Sequence, residues 1–370
     1  MDFVELKREF DKQKPEMKPN ERFDAYLKGE EVDFLPFDLN GSNLSVVDNL
    51  GYTTTQMAKD SDVLFQVVDF KRDVLGIYDE LIGLIMHNLM GSETVTQEHG
   101  TTYITSHVLK DYKDFDSLPR LDPETNPMVQ GLIEYAERIK EKYPDTEIRL
   151  FSNGPWSTAG KIRAIEDLLR DTRRHKDELI ALLRLGMETN LRFMEYFCSR
   201  FGPCRSLMMD PVTCLNLLSK KQFDELSYPY LKEYIAGVYK VTGYRPGLHI
   251  CGLTKGLWKD LATLDIEYFS VDNSESIVEL KEIIGMEKMI SGNIPPVTVM
   301  RDGSTDDVVN CVRDTIRAVA DNPNGFLIDV GCQLPLRVPM ENLYAYVYAI
   351  RKYGARAKMG QMPKGACTME

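Results

Sequence analysis

From about residue 145 the chain repeats one pattern. A short apolar run is followed by a longer stretch whose apolar residues recur every three or four positions. The runs are TEIRLFSN (146–153), broken by Gly154-Pro155, and CRSLMMD (204–210), ending at Asp210-Pro211. RPGLHI (245–250), IEYFSVD (266–272), EKMISGN (287–293) and GFLIDVG (325–331) follow. A helix between two such runs returns the chain to the same end, so the strands must lie parallel. Seven or eight units of this kind close naturally as a (β/α)8 TIM barrel. An open doubly wound sheet is the alternative.

The helical stretches carry their own punctuation. In STDDVVNCVRDTIRAVADN, Ser304 and Asp307 form a capping-box-like start, Val308, Val312, Ile316 and Val319 share one face, and Asn322-Pro323 is the stop. Ser219 opens and Gly243 closes SKKQFDELSYPYLKEYIAGVYKVTG, and PMENLYAYVYAIRKYG ends at Gly354. The spacing predicts one long helical region from Ile162 to Gly202. Residues 1–30 read as a helical N-terminal extension and 31–354 as the barrel, with an inserted segment near 45–127. That segment ends in the Asp- and Pro-rich seam DYKDFDSLPRLDPETNP (111–127). Residues 355–370 read as a frayed tail.

Composition narrows the partners. With 43% hydrophobic residues over 370 positions, the chain can bury a large core. Its net charge of −12, with Lys and Arg dispersed, argues against nucleic acid. The most apolar stretch, LIGLIMHNLMG (81–91), is too short to span a membrane, and the charged N-terminus has no signal core. A cytoplasmic location is expected, with no membrane partner. Seven scattered cysteines, an odd number, argue for reduced thiols rather than a disulfide framework.

In a barrel the loops after the strands share one face, where chemistry gathers. The strand ends carry Asp210; His249 and Cys251; Asp272 and Glu275; Asn293; and Cys332. One imidazole and two thiolates suit zinc, and three protein ligands leave a fourth position for water or substrate. Ordinary packing explains an H-x-C pair equally well, because free cysteine is usually a small buried hydrophobe. Cys198, Cys204, Cys214, Cys311 and Cys367 are assigned to packing, and His87, His99, His107 and His175 have no partner at ligand spacing. GPWSTAGKI (154–162) imitates a phosphate loop, but its glycine spacing is one residue too long and Ile162 stands where Ser or Thr should hold magnesium.

NGPWSTAG, MMDPVTCLNLLSKKQFDELSYPYLKEYI, HICG, SVDNSES, SGNIPPVTVMRDG and DVGCQLPLRVPMENLYA, in this order, resemble the uroporphyrinogen decarboxylase superfamily. Within it the chain is similar to the zinc-dependent corrinoid methyltransferases, the group containing methylcobamide:coenzyme M methyltransferases. The likeness covers roughly residues 145–354 and is looser at GEEVDFLPFDL. The arginine-rich N-terminal segment of the decarboxylases has no equivalent among residues 15–50, and Cys332 stands where they tend to carry histidine.

The resemblance implies the same barrel, with His249, Cys251 and Cys332 as zinc ligands. It implies methyl transfer between a corrinoid (cobalamin) and a small substrate, either a thiol acceptor or a methyl-ether donor as in O-demethylation. No D-x-H-x-x-G corrinoid signature occurs in the chain, so a separate corrinoid-carrying protein is the expected partner. Asp272 and Glu275 are candidates for the fourth ligand or for catalysis; capping the next helix is the competing role for Asp272. Asp210 either orients substrate or a ligand histidine, or serves as a cap. A tetrapyrrole decarboxylase and a non-catalytic metal-binding barrel are the rival functions.

Overall fold

The computed structural model describes residues 2–368. Seven strands, Asp79–Ile82, Glu147–Asn153, Ser206–Met209, Gly247–Ile250, Tyr268–Val271, Met289–Ile294 and Phe326–Val330, form one parallel sheet in strict sequence order. A doubly wound sheet would reverse that order at a switch point. The unbroken order is that of the barrel class. Register is fixed strand by strand: Asp79 faces Glu147, Leu150 faces Ser206, Leu207 faces Gly247, and Phe326 faces Ile290.

The chain divides into two compact units, residues 1–78, 96–101 and 269–370 in one, 79–95 and 102–268 in the other. In the first, Phe37 makes a single parallel bridge to Ile328. Asp38 N donates to Ile328 O at 2.9 Å, and Ile328 N donates to Pro36 O at 3.2 Å. Pro36 has no N–H to add to a ladder, so this stave stays one bridge long. Two helices, Phe3–Lys12 and Pro19–Leu27, make up the N-terminal extension. Phe3 and Phe10 pack edge-on to Tyr344 of the helix Met340–Tyr353.

The helix Thr305–Val319 matches its sequence reading closely. Ser304 and Asp307 form the reciprocal cap, and Val308, Val312, Ile316 and Val319 are all fully buried. The tail differs from expectation. Ala355–Ala357 pairs antiparallel with Val32–Phe34, Arg356 grips Glu16 at 2.7 and 3.0 Å, and Arg317 Nε donates to Ala366 O at 3.1 Å. Every one of these partners is distant in sequence, so local pattern carried no sign of them.

In the second unit the region 162–202 is two helices, Ile165–Arg174 and Lys176–Phe201, broken at His175. Asp79–Ile82 lies inside the stretch 45–127 yet belongs to the main sheet. Trp156, fully buried, donates from Nε1 to Leu226 O at 2.8 Å and ties the turn after the strand Glu147–Asn153 to the π-helical segment Phe223–Ser227. No helix among the described residues is long and apolar enough to cross a membrane.

Candidate metal site

The strand Gly247–Ile250 is buried at every position, so His249 is 1% exposed. Its carbonyl accepts from Asp210 N at 3.0 Å, which fixes the backbone beneath the ring. Cys251, half-buried, is the first residue past the strand, and its Sγ lies 2.9 Å from His249 Nε2. The chain then turns at once through Gly252, at φ +79°. A Cβ there would stand 2.5 Å from Asn216 Oδ1, the atom that accepts from Leu253 N at 2.8 Å. Glycine and Asn216 together hold the thiol beside the imidazole; Cys251 is legible as a candidate in the sequence, whereas Asn216 is not.

Cys332, also half-buried, lies just past the strand Phe326–Val330. A Cβ on Gly331 would meet Asn273 N at 2.6 Å, so the backbone at Gly331 lies directly against the SVDNSES loop. The N-terminal segment secures the stretch from Asp329 to Val338. Asn40 N donates to Asp329 Oδ1 at 3.1 Å, Leu334 N to Asn40 O at 2.9 Å, and Ser45 Oγ to Pro335 O at 2.9 Å. Asn49 Nδ2 donates to Val338 O at 2.7 Å. The sequence of the N-terminal third resembles the family only loosely, and these bonds to the Cys332 stretch are not legible in it.

One ligand atom from each of His249, Cys251 and Cys332 lies within 4.8 Å of the other two. Ligands of a tetrahedral zinc with bonds of 2.0–2.3 Å stand roughly 3.5 Å apart. The donor set and its spacing therefore fit such an ion with small side-chain adjustments.

The acidic candidates differ in placement. Asp272 Oδ1 accepts from Ser274 N at 2.7 Å, an Asx turn; Ser276, not Asp272, caps the helix Ile277–Ile283. Asn293 Nδ2 donates to the carbonyls of Asp272 and Glu275 at 3.2 and 2.8 Å, so the side chain of one strand end fastens the loop carrying both acids. Both are half-buried.

Asp210 is fully buried and accepts from Ser157 N at 2.7 Å. It thus caps the short helix Pro155–Ala159 of the neighbouring turn and makes no side-chain cap to its own adjoining segment, Pro211–Thr213. Burial pushes its carboxyl up to about 6 against the pull of the Ser157 hydrogen bond. Its Oδ2 has no partner among the described residues. A Cβ on Gly154 would stand 2.5 Å from that oxygen, which is why glycine occupies the turn.

Of the other histidines, His99 and His175 are exposed and His107 Nε2 lies 3.2 Å from Gly160 O. Burial holds His87 below its ordinary value.

The uroporphyrinogen decarboxylase (URO-D) family model matches residues 18–353. This chain belongs to that family. Among URO-D relatives, the methylcobamide:CoM methyltransferase MtaA of Methanosarcina barkeri is 24% identical over 229 residues, 61% of this chain and 65% of that protein. The methylated-thiol–coenzyme M methyltransferase of Methanosarcina mazei is 23% identical, over 61% of this chain and 58% of its own length. The chain thus spans less than two thirds of either relative. A solved methyltransferase from Methanosarcina mazei has a TM-score of 0.75 at 21% identity, covering 92% of this chain and 100% of that one. The URO-D chain therefore has the barrel-type fold expected from its strand–helix alternation.

Proposed function

We propose that this URO-D family member is a zinc-dependent methyltransferase, moving a methyl group between a corrinoid carried by a partner protein and a small substrate. The substrate is a thiol acceptor or a methyl-ether donor. The observation that carries the reading is the approach of one imidazole and two thiols to within 4.8 Å. Support also comes from the relatives, whose names pair methylcobamide or a methylated thiol with coenzyme M.

In this reading His249, Cys251 and Cys332 hold the zinc. Two thiolates and one neutral imidazole balance the charge of a divalent ion and leave one position open. Bound there, zinc supplies a Lewis acid that keeps a substrate thiol deprotonated at neutral pH or stabilises a departing phenolate. The residues do the positioning. Gly252 and Asn216 set the Cys251 sulfur, the Asn40–Asn49 segment sets the loop of Cys332, and Asp210 fixes the backbone of His249. Asp272 and Glu275, anchored through Asn293, are the acids we assign to the open position or to orienting the substrate.

The test is the zinc content of protein purified without chelators, beside a Cys332→Ser variant prepared identically. About one zinc per chain, lost in the variant, is expected for a three-ligand site. Zinc well below that in the wild type sinks the reading and leaves a metal-free decarboxylase as the better account. Corrinoid-dependent turnover then separates the enzyme from a metal-binding barrel without activity.

A further inference from the structure

A second site is written into the first unit, on residues that the proposed methyl transfer does not use. A cavity of about 340 Å³ opens beside the last turn of the helix Met340–Tyr353, lined in part by Phe10, Phe34, Phe37, Arg22, Arg72 and Arg351. Cys332 precedes the first turn of the same helix, and fourteen residues at 1.5 Å each put the two helix ends about 20 Å apart. The cavity is therefore not a part of the Cys332 loop.

Arg351 makes the cavity chemically specific. Its residue is 9% exposed, with the guanidinium 4.4 Å over the Phe10 ring and 5.9 Å over Phe34. Nη1 donates to Gln13 O at 3.2 Å, while Nε is buried without a partner among the described residues. No carboxylate comes within ion-pair distance of it among the described residues. The nearby Arg22 is already neutralised, because Asp33 takes its Nε at 2.6 Å and its Nη2 at 2.9 Å. Gln13 Oε1, also at the cavity, is a second buried polar atom with no partner among the described residues, an acceptor for a ligand hydroxyl or N–H rather than for its anionic group.

A buried guanidinium with no carboxylate at ion-pair distance is costly; Asp33 attracts it from farther off but is engaged by Arg22, and an anion placed against Arg351 lowers that cost. At the rim, Arg72 is half-buried and Lys14 exposed; the acids there, Asp11 and Asp73, are exposed and screened by water. The volume exceeds what a bare ion fills and suits a small organic molecule. We propose that this cavity binds a small organic anion through its carboxylate or phosphate group, with Arg351 as the anchoring cation and Phe10, Phe34 and Phe37 as its apolar walls.

The experiment is thermal unfolding of the full chain with increasing inorganic phosphate or benzoate, each at ionic strength matched with sodium chloride. A ligand that binds the folded state raises the melting temperature in a saturable way. The expected result is such a rise with at least one probe, absent in Arg351→Met, with half-saturation shifted upward about threefold in Lys14→Glu. Which probe acts distinguishes phosphate from carboxylate. Lys14 is exposed, so its variant decides the matter even where Arg351→Met does not fold. No saturable rise with either probe overturns the proposal, as does a rise that Lys14→Glu and every folded Arg351→Met sample reproduce unchanged. Zinc content is expected to be the same in wild type and both variants, which keeps the outcome independent of the metal reading.

Discussion

Asp33 and Asp210 are both buried carboxylates, and the chain surrounds them differently. Asp33 accepts two hydrogen bonds from Arg22 and two more from the backbone N–H groups of Glu16 and Met17, at 2.9 and 3.1 Å. Burial pushes its carboxyl up, but the Arg22 guanidinium and those two donors overcome this and hold it below its ordinary value. Asp210 has no cation beside it: it accepts from Ser157 N at 2.7 Å, its Oδ2 has no partner among the described residues, and burial raises its carboxyl to about 6. A satisfied, charged carboxylate anchors structure. One left without a cation carries the cost of its burial instead.

The contrast breaks if the two respond alike to mutation. Asp33→Asn leaves Arg22 as an uncompensated buried cation, and a loss of ~3–5 kcal/mol in urea unfolding is expected. Gly154→Ala should cost ~1–3 kcal/mol by the same measurement, because the added methyl meets the Asp210 carboxyl and that side chain is enclosed. Asp210→Asn, which keeps an acceptor for Ser157 N, should cost only about 1 kcal/mol. Should Asp33→Asn cost no more than Asp210→Asn, burial alone rather than pairing decides both sites.

Acid titration sharpens the same point. The folded Asp33 carboxyl is depressed, so its stabilisation is complete above the unfolded value of 3.8 and is lost as pH falls through the folded value. Stability followed by circular dichroism should therefore drop more steeply in the wild type than in Asp33→Asn as pH falls from 3.8 toward the folded value. Parallel acid limbs in the two proteins contradict the pairing.

Legibility tracked the range of the interaction. The helix Thr305–Val319 was readable end to end, because its cap, its face and its stop are all set by residues within one or two turns. His249, Cys251 and Cys332 were readable as strand-end residues of a repeating pattern. What fastens them was not. Asn216 reaches the Cys251 turn from another loop, and Asn293 reaches back some twenty residues to the SVDNSES loop. Asn40, Ser45 and Asn49 hold the Cys332 loop across nearly 300 positions. A polar side chain in a loop looks the same in sequence whether it meets solvent or a distant carbonyl.

The amino-acid sequence by itself determined the alternation of strand and helix, the ends of helices such as Thr305–Val319, and the residue types able to bind a soft metal. Each of these depends on periodicity or on neighbours a few residues away. Tertiary structure alone decided that the seven strands succeed one another without a switch, that Phe37 adds only a bridge, and that the tail pairs with Val32–Phe34. It also decided that Asp33 has an ion-pair partner and that Arg351 has none among the described residues. Those outcomes depend on which distant groups arrive together once water is excluded, and a buried charge has no local signature until its partner is in place or missing.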